Sequence, residues 1–205
     1  MLKVGLTGSI SVGKSFVCTV FRELGCRVLD ADQTAREVVG QGTEGLKSVV
    51  NEFGQDILKK NGELDRAKLG ALIFADGDKR RALNSIIHPL VIAEQDKWLN
   101  EVPSPQESVG ISIVDAALMI ESGAFKRFDK LIVVWCEYAI QLKRLMLRDS
   151  LSKDAAQERI SAQMSQDEKK SFADYLIDTS NGFDDTRQRT LDTFRELSGV
   201  VHRES

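Results

Sequence analysis

The residues best suited to chemistry lie near the start of the chain, in a segment that matches the pattern G-x-x-x-x-G-K-[ST] in full. They are Gly8, Ser9, Ile10, Ser11, Val12, Gly13, Lys14 and Ser15. Glycine-permissive dihedrals let such a loop wrap its backbone N–H groups around phosphate oxygens. The pattern predicts that Lys14 reaches the β- and γ-phosphates of a nucleotide and that Ser15 offers its hydroxyl to Mg²⁺. The alternative is an ordinary glycine-rich turn between a strand and a helix.

Carboxylates follow two other apolar segments. Asp30 and Asp32 come directly after a predicted strand, where alternate residues of an extended chain point the same way. Ligands bind at the carboxyl ends of parallel strands, so either carboxylate can take a proton from a substrate hydroxyl above the loop. The alternative is that one of them caps a helix predicted at 34–39. Asp115 ends another apolar strand and is predicted to bind Mg²⁺, with turn formation as the alternative.

Basic side chains come later in the chain. Arg144 and Arg148 lie on one face of a predicted helix, and Arg159 lies on the next helix. Guanidinium groups bind phosphates, so this helix pair is predicted to form a lid that closes over a nucleotide and excludes water. A solvated basic face is the alternative. His88 precedes Pro89 at a predicted helix start, where capping or packing is the alternative to a chemical role.

Five short, almost continuously apolar segments are predicted to be strands. They are Lys3–Leu6, Arg27–Asp30, Gly110–Asp115, Lys130–Trp135 and Tyr175–Asp178. Continuous apolar character is typical of parallel strands with helices on both faces. A helix over Lys14–Leu24, with Gly25 as its C-cap, joins the first two strands in a right-handed crossover. The predicted fold class is therefore α/β, with a five-stranded parallel sheet flanked by helices.

About 75 residues separate the second strand from the third, which is too many for a simple crossover. Periodic apolar residues predict helices there at Thr34–Val39, Thr43–Phe53, Arg66–Phe74, Lys79–Ile87 and Pro89–Leu99, with breaks at Gly54, Gly62 and Gly77. Pro103 and Pro105 indicate a loop back to the sheet. The remaining helices are predicted at Tyr138–Arg148, at Asp154–Met164 with Ser152 as N-cap, and at Asp184–Leu197.

The composition limits the partners and the setting. The 205 residues include 28 Lys and Arg against 31 Asp and Glu, a net charge of −3 with no basic block, so nucleic acid is not expected as a partner. Cys18, Cys26 and Cys136 form no C-x-x-C pair and lie in apolar surroundings, as packed, reduced thiols do. The sequence shows no signal peptide and no apolar run of the ~18 residues that span a membrane. We expect a cytoplasmic protein without a membrane partner.

Together these motifs resemble the dephospho-CoA kinase family, and the resemblance covers almost the whole chain. The similar segments are Gly5–Gly8 with Gly13–Ser15, Asp30–Asp32, Ala35–Arg36, His88–Leu90, Leu118–Glu121, Arg144–Leu145, Arg148–Asp149, Leu151–Ser152, Arg159–Ile160, Gln163–Met164, Lys169 and Ala173–Tyr175. The resemblance implies a P-loop NTPase fold in one domain, 1–205. Its core is expected at about 1–33, 108–137 and 173–205, a helical acceptor-binding lobe at about 34–107, and a helical lid at about 138–172.

The resemblance also implies a reaction. It is the ATP-dependent phosphorylation of the ribose 3′-hydroxyl of dephospho-CoA, giving CoA and ADP in the last step of coenzyme A synthesis, with Mg²⁺ as cofactor. Asp32 is the implied base, Arg36 and His88 lie near the acceptor, and Glu121 belongs to the substrate side. Lys14 and Arg144 are implied in catalysis.

On the nucleotide side, the resemblance implies that Arg144 and Arg148 contact phosphates from the lid. The family tends to have Asn after the position of Asp178, whereas this chain has Thr179 and places Asn181 two positions later; Asn181 is the residue expected on the adenine side. The other departures are Ser9, Ser11 and Val12 in place of loop glycines, and Ala117 in place of a proline.

Two other functions fit parts of the sequence. Another P-loop small-molecule kinase, for a nucleoside or a nucleotide, would share the loop, the lid and the mechanism. A non-catalytic nucleotide switch is the alternative from another class, but no guanine-reading Asn-Lys-x-Asp segment is present, and paired arginines favour transfer to a bound acceptor. We expect a monomer or a weak homo-oligomer.

Overall fold

A computed structural model describes residues 1–74, 76–102, 104 and 109–201. The strands are β1 (Leu2–Thr7), β2 (Arg27–Asp30), β3 (Ile111–Asp115), β4 (Lys130–Trp135) and β5 (Tyr175–Asp178). The helices are α1 (Lys14–Glu23), α2 (Ala31–Glu37), α3 (Glu44–Phe53), α4 (Arg66–Phe74), α5 (Gly77–Asn100), α6 (Tyr138–Asp149), α7 (Lys153–Ser161), α8 (Gln166–Lys170) and α9 (Gly182–Val201). Short 3₁₀ turns occur at Gln55–Ile57 and Ala124–Arg127.

All five strands are parallel, in the order β2-β3-β1-β4-β5, which confirms the predicted fold class. The packing of β1 explains why its sequence is almost continuously apolar. Leu6 packs into a buried core with Phe21 of α1 and Leu197 of α9. Gly5 faces the other way, where a Cβ atom would collide with Met119. Both faces of the central strand are therefore covered.

The sheet order determines what meets at its carboxyl edge. Strand β1 lies in the middle, so the loop that follows it is flanked by the ends of β3 and β4. Asp115 pairs in register with Leu6 on one side and with Asp30 on the other. Cys136 follows β4 directly. The segments that carry the predicted phosphate loop and two of the predicted carboxylates therefore converge at one edge.

The chain divides into two compact units, and Ala31–Glu101 is the smaller one. It contains α2 to α5 and has its own apolar core, whose members are Val39, Leu46, Val49, Ile57, Leu64, Leu69 and Leu83. Thr43 caps α3 by accepting a hydrogen bond from the Leu46 N–H at 3.1 Å. The bounds of this unit differ by a few residues from the predicted lobe at 34–107, and residues 138–172 do not form a unit of their own.

Helix α5 corrects the prediction of two helices broken before Pro89. It runs without interruption from Gly77, a predicted break, to Asn100, and both His88 and Pro89 lie inside it. A proline removes one backbone hydrogen bond and disfavours helical dihedrals at the preceding residue. Packing of α2, α3 and α4 against α5 outweighs that local cost. The loop predicted at Pro103 and Pro105 lies outside the described residues.

The segment after α6 also differs from the sequence prediction. Ser152 caps α7 as predicted, with its Oγ accepting from the Ala155 N–H at 3.2 Å, but α7 ends at Ser161. A separate short helix, α8, follows and is held by a capping box between Ser165 and Glu168.

Among the described residues, none of the helices combines the length and the apolar character needed to cross a membrane.

Candidate functional site

The phosphate loop takes the conformation that its motif demands. Gly13 has φ 95° and Ser11 has φ 59°, so two residues of the loop lie in the left-handed region. A Cβ atom at Gly8 would collide with the carbonyl oxygen of Val134, which explains the need for glycine there. Gly13 is also the N-cap of α1 and supplies no capping side chain. The first N–H groups of α1 are therefore well suited to bind an anion.

Two hydroxyls in the loop favour a polar ligand. Ser9 is 4% exposed, and the buried Oγ atoms of Ser9 and Ser11 have no hydrogen-bond partner within the described ranges. Leaving a buried hydroxyl unpaired costs free energy unless another molecule supplies the bond. The hydroxyls of both serines add donors to a site already rich in backbone N–H groups. The loop fits a ligand with many acceptor oxygens, as phosphates have.

Glutamine side chains hold the tip of the loop. The Ile10 N–H donates to Gln163 Oε1 at 2.8 Å, and Gln141 Nε2 donates to the Ile10 carbonyl at 2.9 Å. Gln166 Nε2 then donates to Gln141 Oε1 at 2.8 Å and accepts at its own Oε1 from the Cys136 N–H at 3.0 Å. This chain of bonds joins the loop to the end of β4 and to the segment from α7 to α8. These bonds therefore attach the predicted lid to the phosphate loop through Gln141, Gln163 and Gln166.

Lys14 and Asp115 meet beside the loop. The Lys14 Nζ lies 2.8 Å from Asp115 Oδ1, and the two side chains are only 16% and 13% exposed. Asp115 Oδ2 also accepts a hydrogen bond from Cys18 Sγ at 3.5 Å. Burial and the adjacent carboxylate raise the pKa of the Cys18 thiol far above its usual value, so this cysteine stays neutral. A metal ion at Asp115 would have to share the carboxylate with Lys14.

The two predicted lid arginines have different surroundings. Arg144 donates from Nη1 to Thr179 Oγ1 at 2.9 Å and from Nη2 to the Thr179 carbonyl at 2.7 Å, beside the loop. Arg148 is 54% exposed and makes two bonds to Asp149, which Arg159 also contacts at 2.9 Å. These guanidinium groups lower the pKa of the Asp149 carboxyl, mainly through its hydrogen bond with Arg148. In this structure Arg148 belongs to a solvated face, whereas Arg144 faces the site.

Glu121 has a partner that the sequence did not reveal. Its Oε1 lies 2.8 Å from Nζ of Lys169, whose side chain is fully buried and also donates to the Ala117 carbonyl at 2.9 Å. Asn181 stands exposed just before α9, with its Nδ2 3.5 Å from Asp185 Oδ2. Neither contact tests the predicted substrate role of Glu121 or the predicted adenine contact of Asn181, and both stay predictions.

The smaller unit carries the predicted acceptor residues. Asp32 lies in the first turn of α2 and Arg36 in its last, both exposed and one helical turn apart. This corrects the extended conformation expected for Asp30 to Asp32, because α2 begins at Ala31. Asp32 lies inside the helix and so does not cap its start, whereas Asp30 directly precedes Ala31 and its capping alternative stays a prediction. His88 is exposed on α5.

A cavity of about 550 Å³ adjoins Ser9 on the lid side of the loop. Its walls include Trp135, Gln141, Gln163 and Lys170, and the Lys170 Nζ lies 4.0 Å from the centroid of the Trp135 ring. Sequence reasoning gave Gln141 no role, although it lies one helical turn before buried Leu145 on α6. A polar residue on the apolar face of a helix is a signal that can be recognised in a sequence.

Three comparisons identify what the chain is similar to. The family model for dephospho-CoA kinase matches residues 2–185. A dephospho-CoA kinase domain-containing protein of Danio rerio is 43% identical over 202 residues, covering 98% of this chain and 87% of that protein. A dephospho-CoA kinase of Bacillus licheniformis is 42% identical over 199 residues, covering 96% of this chain and 98% of that protein. The solved structure of a dephospho-CoA kinase from Campylobacter jejuni has a TM-score of 0.70 at 30% identity, covering 96% of this chain and 97% of that one.

Proposed function

The chain belongs to the dephospho-CoA kinase family, and we propose residue roles for the family's reaction on that basis. The reaction is the ATP-dependent phosphorylation of the ribose 3′-hydroxyl of dephospho-CoA, the last step of coenzyme A biosynthesis. The chain is accordingly a phosphotransferase with an alcohol group as acceptor. The observation that carries the proposal is the complete phosphate loop, with Lys14 held at its edge by Asp115 at 2.8 Å.

The loop and Lys14 bind and orient the phosphates of ATP. The residues of the loop, Gly8 to Ser15, surround the phosphates with backbone N–H groups and with the Ser9 and Ser11 hydroxyls. The side chain of Lys14 is held in a largely shielded position by Asp115, so little further ordering is needed when the nucleotide binds. An ammonium group there stabilises the charge of the phosphoryl group during transfer.

Ser15 and Asp115 are the residues that we assign to Mg²⁺. A carboxylate and a hydroxyl are oxygen donors, the type that Mg²⁺ prefers, and both residues flank Lys14. When bound with ATP, the ion neutralises part of the phosphate charge. Asp115 would hold the ion with a carboxylate whose Oδ1 accepts from Lys14 and whose Oδ2 accepts from the Cys18 thiol in the structure.

Asp32 is the proposed base. It takes the proton of the ribose 3′-hydroxyl while the phosphoryl group is transferred in line to the hydroxyl oxygen. Its exposed position in the first turn of α2, with Arg36 one turn away, supports the proposal, since both groups are accessible to an acceptor. We assign Arg36, His88 and Glu121 to binding dephospho-CoA.

The lid contributes charge and closure. Arg144, which the structure holds beside the loop, contacts the phosphates during transfer, and Arg148 joins it when the lid closes. Asn181 contacts the adenine side of the nucleotide. We place the reaction in the cytoplasm and propose that the protein works as a monomer or a weak homo-oligomer, without nucleic acid or membrane as a partner.

A coupled assay of ADP release tests the proposal. Purified protein with Mg-ATP is offered dephospho-CoA and, in parallel, nucleosides and nucleoside monophosphates. We expect turnover with dephospho-CoA alone. Glu44, an exposed residue on α3 paired with Lys47, provides a matched control, because Glu44→Gln should leave turnover unchanged. Turnover with another acceptor, and none with dephospho-CoA, would contradict the proposed substrate and leave the phosphate loop in place.

A further inference from the structure

The side chain of Thr179 is nearly completely buried, with 2% of the residue exposed. Thr179 follows β5 directly, and its N–H donates to the Trp135 carbonyl at 2.9 Å. This bond extends the ladder between β4 and β5 by one residue. The backbone of Thr179 is therefore fixed by the sheet before its side chain makes any contact.

The side chain of Thr179 connects two parts of the site. Its Oγ1 donates to the Val12 carbonyl in the phosphate loop at 2.6 Å and accepts from Arg144 Nη1 at 2.9 Å. A hydroxyl has one donor, and the bond to Val12 uses it, so the oxygen is left to accept from the guanidinium. A bond from a charged donor polarises the O–H group and strengthens its bond to Val12.

The bond to Val12 has a consequence for the next amide. The C=O and N–H groups of a trans peptide point in opposite directions. Holding the Val12 carbonyl on Thr179 therefore directs the Gly13 N–H away from Thr179. Gly13 itself is close to Thr179, since a Cβ atom there would lie 3.3 Å from Thr179 Oγ1. The loop thus rests against Thr179 on one side and presents the Gly13 amide on the other.

The same residue orients Arg144. Two different nitrogens of the guanidinium bond to two different oxygens of Thr179, which fixes the plane of the group as well as its position. These bonds use only part of the donor capacity of an arginine. The remaining N–H groups of Arg144 are then held at a fixed orientation relative to the loop.

We propose that Thr179 is a positioning residue for nucleotide binding. It fixes the position of the Arg144 guanidinium relative to the phosphate loop. The inference rests on the proposed function only in taking the loop as the ATP site. Thr179 touches no reacting atom in this proposal and acts through the Gly13 amide and through Arg144. A serine at this position keeps the role, whereas a valine of the same shape loses it.

Three variants test the proposal: Thr179→Val, Thr179→Ser and, as a matched control, Thr190→Val. Thr190 is fully buried on α9, and its hydroxyl donates to the Thr186 carbonyl at 2.7 Å. Binding of Mg-ADP is measured by calorimetry, KM for ATP and kcat by turnover, and Tm by thermal unfolding. We expect Thr179→Val to weaken Mg-ADP by about 10- to 100-fold and to raise KM for ATP, without raising KM for dephospho-CoA. Thr179→Ser restores most of the affinity, and Thr190→Val lowers Tm alone.

Two results would overturn the inference. One is Mg-ADP affinity in Thr179→Val equal to that of the unmodified chain; the other is an equal loss of affinity in Thr190→Val. If Thr179→Val does not fold, Arg144→Lys tests the same link, because an ammonium group cannot hold both Thr179 oxygens with a fixed plane; unchanged Mg-ADP affinity there would also overturn it. Failure of the proposed function would look different. In that case Thr179→Val would still weaken Mg-ADP binding, but the unmodified chain would not phosphorylate dephospho-CoA.

Discussion

The phosphate loop and the exposed surface of α2 carry the two halves of the proposed chemistry in opposite environments. The tip of the loop is bonded by Gln163 and Gln141 at both polar groups of Ile10, and Lys14 is shielded and paired. Asp32, by contrast, lies exposed in the first turn of α2. The loop is preorganised for a ligand of constant shape, the polyphosphate. The α2 surface exposes Asp32 and Arg36, the side chains that we propose for the acceptor.

We therefore expect substitutions in the loop and on α2 to have different effects on nucleotide binding. Changes at the loop should alter nucleotide binding together with turnover, because the loop's own hydrogen bonds determine its shape. Changes on α2 should alter turnover and acceptor binding and leave nucleotide binding intact. A measurement of Mg-ADP affinity beside kcat therefore distinguishes the two regions in every variant.

The largest effect is expected from Asp32→Asn. Removing the base should lower kcat by about 10²- to 10⁴-fold, since that is the usual contribution of general base catalysis. Mg-ADP affinity, measured by calorimetry, should stay within about twofold because Asp32 does not belong to the loop. Glu37→Gln is the matched control, being an exposed carboxylate on the same helix that bonds Gln33 at 2.8 Å. Unchanged kcat in Asp32→Asn would show that another group takes the proton.

The next largest effect is expected from Lys14→Ala. The substitution should lower kcat/KM for ATP by about 10²- to 10³-fold, because it removes a charged group that stabilises the phosphoryl group during transfer. Mg-ADP affinity should fall as well, in contrast to Asp32→Asn. The control is Lys47→Ala, an exposed lysine on α3 paired with Glu44. If Lys14→Ala retained its nucleotide affinity and turnover, the loop would not be the phosphate site.

Gln141→Leu tests whether the glutamine bonds shape the loop. The substitution removes the bond to the Ile10 carbonyl and leaves Gln166 Nε2 without its acceptor. We expect the free energy of unfolding to fall by about 1–3 kcal/mol and KM for ATP to rise by about tenfold. Gln157→Leu is the control, because that glutamine on α7 reaches Tyr138 at 3.3 Å instead. Equal KM values in both variants would mean that the loop keeps its shape without Gln141.

Glu121→Gln should have the smallest effect on nucleotide binding. It distinguishes a structural role of the Glu121 carboxylate from a role in binding the substrate. Lys169 is fully buried beside it, so loss of the negative charge should lower the free energy of unfolding by about 1–3 kcal/mol. A substrate role would in addition raise KM for dephospho-CoA, which steady-state kinetics measures. A lower Tm with an unchanged KM for dephospho-CoA would assign Glu121 to anchoring α8 alone. Asp167→Asn, which removes an exposed partner of Lys170, is the control.

Most of the secondary structure could be predicted from local patterns. The bounds of β2, β4, β5 and α4 agree with the predicted segments, because apolar runs and helical periodicity are properties of neighbouring residues. Where tertiary packing opposes a local signal, prediction failed. Helix α5 continues through His88 and Pro89 although the pair signals a boundary, since three helices pack against it. The capping box at Ser165 was missed although its S-x-x-E signal is local.

The loop, its glycines, the position of Lys14 and the order of the strands along the chain could be predicted from local patterns, because each depends on residues within one turn or one strand. Which side chains meet depends on how distant segments fold together. Lys14 and Asp115 are 101 residues apart, and Thr179 and Val12 are 167 apart, so no local pattern predicts either contact. The sheet order brings the ends of β1, β3, β4 and β5 to one edge, and the polar groups that arrive there must satisfy one another. That requirement joins Arg144 to Thr179, and Thr179 to the phosphate loop.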